Sequence, residues 1–117
     1  MTILIVDDNA GMRRLLRRAV PDNAHAVWEC ADGADALAEY AERQPDVVLM
    51  DIRMPHMDGL AATRKIRDFD PGARVVIVTD YDDEDLRAAA REAGACAYAL
   101  KQNLTELPIL IRAVIDG

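Results

Sequence analysis

The feature that most constrains this chain is a five-fold alternation of short apolar runs with longer amphipathic stretches. The runs fall at residues 3–6, 25–30, 47–50, 75–78 and 97–100, each brief and rich in aliphatic side chains, as buried strands are. Between them lie helical patterns. Met12, Leu15, Leu16 and Ala19 repeat at i, i+3, i+4 and i+7, with Arg13, Arg14, Arg17 and Arg18 on the opposite face. Residues 34–43 form an Ala-rich stretch ended by Gln44-Pro45. Leu60, Thr63, Ile66 and Arg67 predict a third helix before Pro71-Gly72, and residues 82–93 a fourth, with acids in its first turn and Gly94 at its stop. Residues 104–115 predict a last helix, with Pro108 in its first turn. Alternation of this kind predicts an α/β fold, a doubly wound parallel sheet covered on both faces.

At 117 residues the chain has room for one domain, expected to span residues 1–117. Aromatic residues make up 4%, so the core is expected to be aliphatic. A formal charge of −7, from 14 basic against 21 acidic residues, argues against a sequence-independent binder of nucleic acid, which needs clustered cations. Cys30 and Cys96 lack any CxxC or Cys/His spacing and read as two small buried apolar side chains. The N-terminal apolar run is too short for a signal peptide, and no window approaches a membrane span, so a cytoplasmic protein is expected.

In an open parallel sheet, ligand chemistry gathers beyond the carboxyl ends of the strands. Those ends are Asp7-Asp8, Asp51, Thr79 and Lys101, with Asp32 near the end of the second run. Singly, each has an ordinary explanation: a turn acid, a helix cap, a strand threonine, a solvated lysine. As a set they form a constellation. Each pair of adjacent carboxylates repels by about 3 kcal/mol at roughly 5 Å and an effective dielectric near 20, so the cluster must take up a proton or a cation. Hard oxygen ligands suit Mg²⁺, and the absence of imidazole or thiol disfavours zinc. With Lys101 and Thr79 the set becomes a receptor for a phosphoryl group, and a carboxylate facing it can act as nucleophile. Asp51, on the strand expected at the sheet centre, is the best candidate.

Over nearly its whole length the chain resembles the receiver domain of two-component response regulators. The resemblance rests on Ile5-Val6-Asp7-Asp8, on Leu49-Met50-Asp51-Ile52-Arg53-Met54-Pro55 with Gly59, on Thr79 and on Lys101. It implies a flavodoxin-like (βα)5 fold with strand order 2-1-3-4-5. It implies that Asp7 and Asp8, with Asp51 and the backbone carbonyl of Arg53, hold Mg²⁺, and that Asp51 accepts a phosphoryl group from a histidine kinase or phosphotransfer protein. Thr79 and Lys101 would contact that group, and Tyr98 falls where the family keeps an aromatic switch residue. On this reading the protein is a signalling module, catalysing only its own phosphorylation and dephosphorylation. The added charge would draw Thr79 inward and vacate space for Tyr98. Arg13, Arg14 and Arg17 lie on the helix the family uses to meet its kinase.

Two departures stand out. Gln102 stands where many relatives have proline, which the NarL/FixJ-type group often lacks too, so no cis peptide is expected there. Asp80 stands where a small or neutral residue is more usual, and is expected to slow labelling by small phosphodonors. Because the sequence stops shortly after Ile115, either a stand-alone receiver or a piece of a longer transcription regulator is expected, the former being favoured. Output would then pass to a downstream protein target or a C-terminal output domain, with homodimer formation on phosphorylation left open. A Mg²⁺-dependent aspartyl-phosphate phosphatase is the alternative. Such enzymes of the haloacid dehalogenase type need a general acid two residues after the nucleophile, where this chain has Arg53. A nucleotide-binding module lacks its glycine-rich loop.

Overall fold

A computed structural model describes residues 1–24 and 26–117. His25, which opens the second predicted strand, lies outside the described residues. The elements run β1 (Thr2–Val6), α1 (Ala10–Ala19), β2 (Ala26–Cys30), α2 (Gly33–Arg43), β3 (Val47–Met50), α3 (Gly59–Phe69), β4 (Val75–Thr79), α4 (Glu84–Ala93), β5 (Ala97–Leu100) and α5 (Leu107–Asp116), with a 3-10 segment at Lys101–Glu106. All strand pairings are parallel, in the order β2-β1-β3-β4-β5. The register sets Ile5 beside Leu49 and Val6 beside Met50, so β1 and β3 end side by side at the centre of the sheet.

The strand period of two divides the core. Leu4, Val6, Val48, Met50 and Ile77 face Ala36, Tyr40, Ala62, Ile66 and Ala90 from α2, α3 and α4. Ile3, Ile5, Leu49, Val76 and Val78 face Leu16 of α1 and Leu107 and Ile111 of α5. Every residue of β3 is fully buried, as expected for a strand covered on both faces.

Side chains in the strand-to-helix loops cap four of the helices. Asn9, Asp32, Asp58 and Asp83 are N-caps, accepting from the amides of Met12, Ala34, Ala61 and Leu86. Each such cap stabilises its helix by about 1 kcal/mol. Asp32 is thus a cap, and the fourth helix begins two residues later than the sequence suggests because Asp83 caps it. Gly94, at φ 104°, closes α4 in the left-handed region, as expected.

The structure corrects several expectations. Leu15, assigned to the apolar face of α1, is 49% exposed; Leu16, one position on, is the residue that reaches the core. Cys96, expected in the interior, is exposed, whereas Cys30 is buried. The predicted helix over residues 104–115 divides: the 3-10 segment carries a non-helical Asn103, and α5 begins at Leu107 with Pro108 in its first turn. No cis peptide bond occurs among the described residues, in keeping with Gln102.

Candidate functional site

The carboxyl ends of β1 and β3 bring Asp7 and Asp51 together, and Lys101 enters from the end of β5. Asp7 is fully buried and Asp51 nearly so. Lys101 Nζ lies 3.0 Å from Asp7 Oδ2 and 3.3 Å from Asp51 Oδ1. The other Asp7 oxygen, Oδ1, accepts from the Asn9 amide at 2.9 Å, and Asp51 Oδ1 accepts from the Ile52 amide at 2.9 Å. Asp7 Oδ2 is buried with no hydrogen-bond partner; its approach to Lys101 is a charge contact, not an aligned hydrogen bond.

Asp8 is exposed at the rim. It, Asp7 and Asp51 each offer a carboxylate oxygen, and these oxygens lie within 4.8 Å of one another. Asp7, Asp8, Asp51, Arg53, Asp80 and Lys101 line one open cleft of about 560 Å³, whose far wall is Met12 and Leu15 of α1. One ammonium group does not neutralise this many acids. Burial, and then the charge of Asp7, push the Asp51 carboxyl up to about 6, with Lys101 pulling the other way. Burial alone would depress the Lys101 ammonium, but Asp7 and Asp51 outweigh it and hold it above its ordinary value. An unsatisfied buried carboxylate oxygen, all-oxygen donors and excess negative charge together fit a hard divalent cation.

Local geometry ties this site to the start of α3. A Cβ on Gly59 would lie 1.8 Å from the Asp51 carbonyl oxygen, a distance no side chain tolerates. The Gly59 amide donates to the Ile52 carbonyl at 2.7 Å. The β3–α3 loop therefore closes directly on the backbone of the central acid.

The remaining predicted residues are placed as follows. Thr79 is buried at the end of β4, and its Oγ1 accepts from the Tyr81 amide at 3.3 Å. Tyr98 is half-buried on β5, with the Arg87 guanidinium 4.5 Å from its ring centroid. It borders a second hollow of about 460 Å³ with Leu107, Ile109 and Leu110 of α5, separate from the acid cleft. Arg53 is exposed, 4.6 Å from the Tyr81 ring centroid.

The arginine face of α1 is only partly a free surface. Arg14 and Arg18 are exposed and make no hydrogen bond or ion pair among the described residues. Arg13 and Arg17 instead both grip Glu29 of β2. Arg13 also donates to the Asp7 carbonyl and Arg17 to the Val27 carbonyl. The Tyr81 backbone is held at both ends, its amide donating to Thr79 Oγ1 and its carbonyl accepting from the Tyr98 hydroxyl, and no sequence pattern marks it. His56 pairs with the cap residue Asp32, joining the β3–α3 loop to α2, and no spacing in the sequence foretold that contact.

A parallel five-stranded sheet in this order, with an acidic cleft and a lysine at its carboxyl edge, defines an α/β protein whose chemistry lies at the strand ends. The chain belongs to the response regulator receiver domain family of two-component signalling, whose model matches residues 3–112. It is 39% identical to the chemotaxis protein CheY of Halobacterium salinarum over 114 residues, covering 97% of this chain and 93% of that one. It matches an uncharacterised transcriptional regulatory protein, YhcZ of Bacillus subtilis, at 39% identity over its full length, yet spans 56% of that relative. Among solved structures, a LuxR-family two-component response regulator from Aurantimonas superposes with a TM-score of 0.92 at 35% identity, covering 99% of this chain and 85% of that one. A CheX–CheY–BeF3–Mg²⁺ complex from Borrelia burgdorferi superposes with a TM-score of 0.86 at 26% identity, covering 100% and 90%.

Proposed function

We propose that this receiver is a phosphorylation-controlled switch in which Asp51 is the acceptor. The observation that carries the reading is the convergence of Asp7, Asp8 and Asp51 on one cleft, with Lys101 in contact with two of them. Asp7, Asp8 and Asp51, with the Arg53 backbone carbonyl, would hold Mg²⁺, the cation named in the Borrelia complex. When bound, the cation supplies positive charge that screens the carboxylates and the oxygens of the incoming group.

In the reaction, a carboxylate oxygen of Asp51 attacks phosphorus while the bond from phosphorus to the donor breaks. The donor is the imidazole nitrogen of a sensor histidine kinase or phosphotransfer protein, and it leaves with the bonding electron pair. Lys101 then pairs with a phosphoryl oxygen where it now pairs with Asp51. Thr79 turns its hydroxyl from the Tyr81 amide to donate to another oxygen. Tyr98, bonded to the same Tyr81 residue, senses that turn. The module covers residues 1–117 and catalyses only its own phosphorylation and dephosphorylation. Its output passes to a downstream protein or to an output domain in a longer chain.

Intact-mass measurement after incubation with Mg²⁺ and a small acyl phosphate tests this. One added phosphoryl group is expected, lost in Asp51→Asn and on chelation. An adduct that persists in Asp51→Asn would show that the acceptor lies elsewhere.

A further inference from the structure

Asp7 is fixed on all sides but one. Its amide donates to the Cys30 carbonyl at 3.1 Å, and its Oδ1 accepts from Asn9. Its carbonyl oxygen accepts from Arg13 Nη1 at 2.8 Å. This leaves Oδ2 directed at Lys101 and the cleft. Asp8 differs: its carboxylate is exposed, and among the described residues it makes no hydrogen bond or ion pair. What orients Asp8 is its backbone, and the peptide unit that carries it includes the Asp7 carbonyl held by Arg13.

Arg13 is itself held. Its Nε donates to Glu29 Oε1 at 3.0 Å, and Arg17 binds the other Glu29 oxygen at 2.8 Å. Glu29 sits on β2 directly beside Ile5 of β1. The Arg13 side chain is 19% exposed and spends its donors inward, which does not suit a residue awaiting a partner.

We infer that Arg13 is a positioning residue for the cation site: clamped by Glu29, its guanidinium locks the Asp7–Asp8 peptide unit and so aims the Asp8 carboxylate at the cleft. The inference rests on the reading of Asp7 and Asp8 as cation ligands. It differs in sign from a charge effect. A guanidinium beside an acidic cluster repels a divalent cation, so by charge alone its removal tightens binding. If it positions a ligand, its removal weakens binding.

Calorimetric titration with Mg²⁺ alone decides between them. Arg13→Met keeps the apolar stem and removes the donors. Its dissociation constant is expected to rise roughly tenfold, the lower end of the effect seen when partners that orient metal ligands are removed. Glu29→Ala is expected to weaken binding less, and to add nothing in the Arg13→Met background, since the two act through one contact. At saturating Mg²⁺ the labelling rate of Asp51 in Arg13→Met is expected to return toward the parent's, which general damage to the fold would not allow. Unfolding in chelator is followed in parallel, and Glu29→Ala carries the test if Arg13→Met does not fold. A parent that binds Mg²⁺ while Arg13→Met binds equally or more tightly overturns this inference alone. A parent that binds none overturns the reading of the site, and the inference with it.

Discussion

The Tyr98 hydroxyl donates to the Tyr81 carbonyl oxygen at 2.6 Å, while Thr79 accepts from the amide of the same Tyr81 residue. The two hydroxyls that the family resemblance pairs as a switch thus meet on one backbone residue. Neither must touch the other for a change at Thr79 to reach β5.

This arrangement predicts that Thr79→Ala alters the surroundings of Tyr98 without any phosphoryl group present. With fluorotyrosine incorporated, the ¹⁹F resonance of Tyr98 is expected to shift in Thr79→Ala. Unfolding free energy should fall by about 1 kcal/mol, the net worth of one hydrogen bond. An unmoved resonance would show that the two hydroxyls act independently.

Asp80 lines the cleft beside Asp7, Asp8 and Asp51, so an anionic phosphodonor meets a fourth carboxylate at the entrance. Asp80→Ala is expected to label roughly two- to fivefold faster with a small acyl phosphate, the scale of one exposed charge. Added salt should narrow the gap. A variant no faster than the parent counts against this role.

Gly59 admits no side chain because the Asp51 carbonyl occupies the space. Gly59→Ala must displace either α3 or Asp51. A loss of about 2–3 kcal/mol in urea unfolding is expected, at the upper end for overpacking, together with a fall in Asp51 labelling. Parent-like values in both measurements would mean that the loop relaxes freely.

Glu29 supplies a pH dependence. A hydrogen bond from Arg17, against burial and with help from Arg13, holds its carboxyl below the usual range. A depressed folded-state value stabilises above the unfolded value, and that stability drains away as pH falls through the folded one. Relative to Glu29→Gln, the parent should be more stable at pH 7 by less than about 1 kcal/mol, since the pair is solvent-screened. The difference should close below about pH 4 in urea titrations across that range.

The architecture was readable because strand polarity and strand ends are written locally. A run such as Val47–Met50 announces a buried strand, and a parallel sheet gathers whatever follows each run. That rule brought Asp7, Asp51 and Lys101 to one place from positions far apart in the chain. It fails where contacts run through backbone atoms. Nothing in the residues surrounding Tyr81 reveals that its amide and carbonyl are held by hydroxyls from β4 and β5. The pairing of the α1 arginines was hidden for a related reason. Helical spacing puts Arg13 and Arg17 on a polar face, but β2 lies close enough for Glu29 to claim both. Leu15 erred the other way, because α1 meets the sheet along a stripe narrow enough to admit Leu16 and leave its neighbour at the cleft.

Lys101 is the first residue of the 3-10 segment, which kinks at Asn103 and leads into α5, where Leu107 is buried at the head of the helix. The ammonium that contacts Asp7 and Asp51 is therefore tied to the last helix by six residues of main chain alone. Under the proposed switch, a shift of Lys101 toward a phosphoryl group would pull on that stretch directly, and the helix beyond it carries Ile109, 74% exposed.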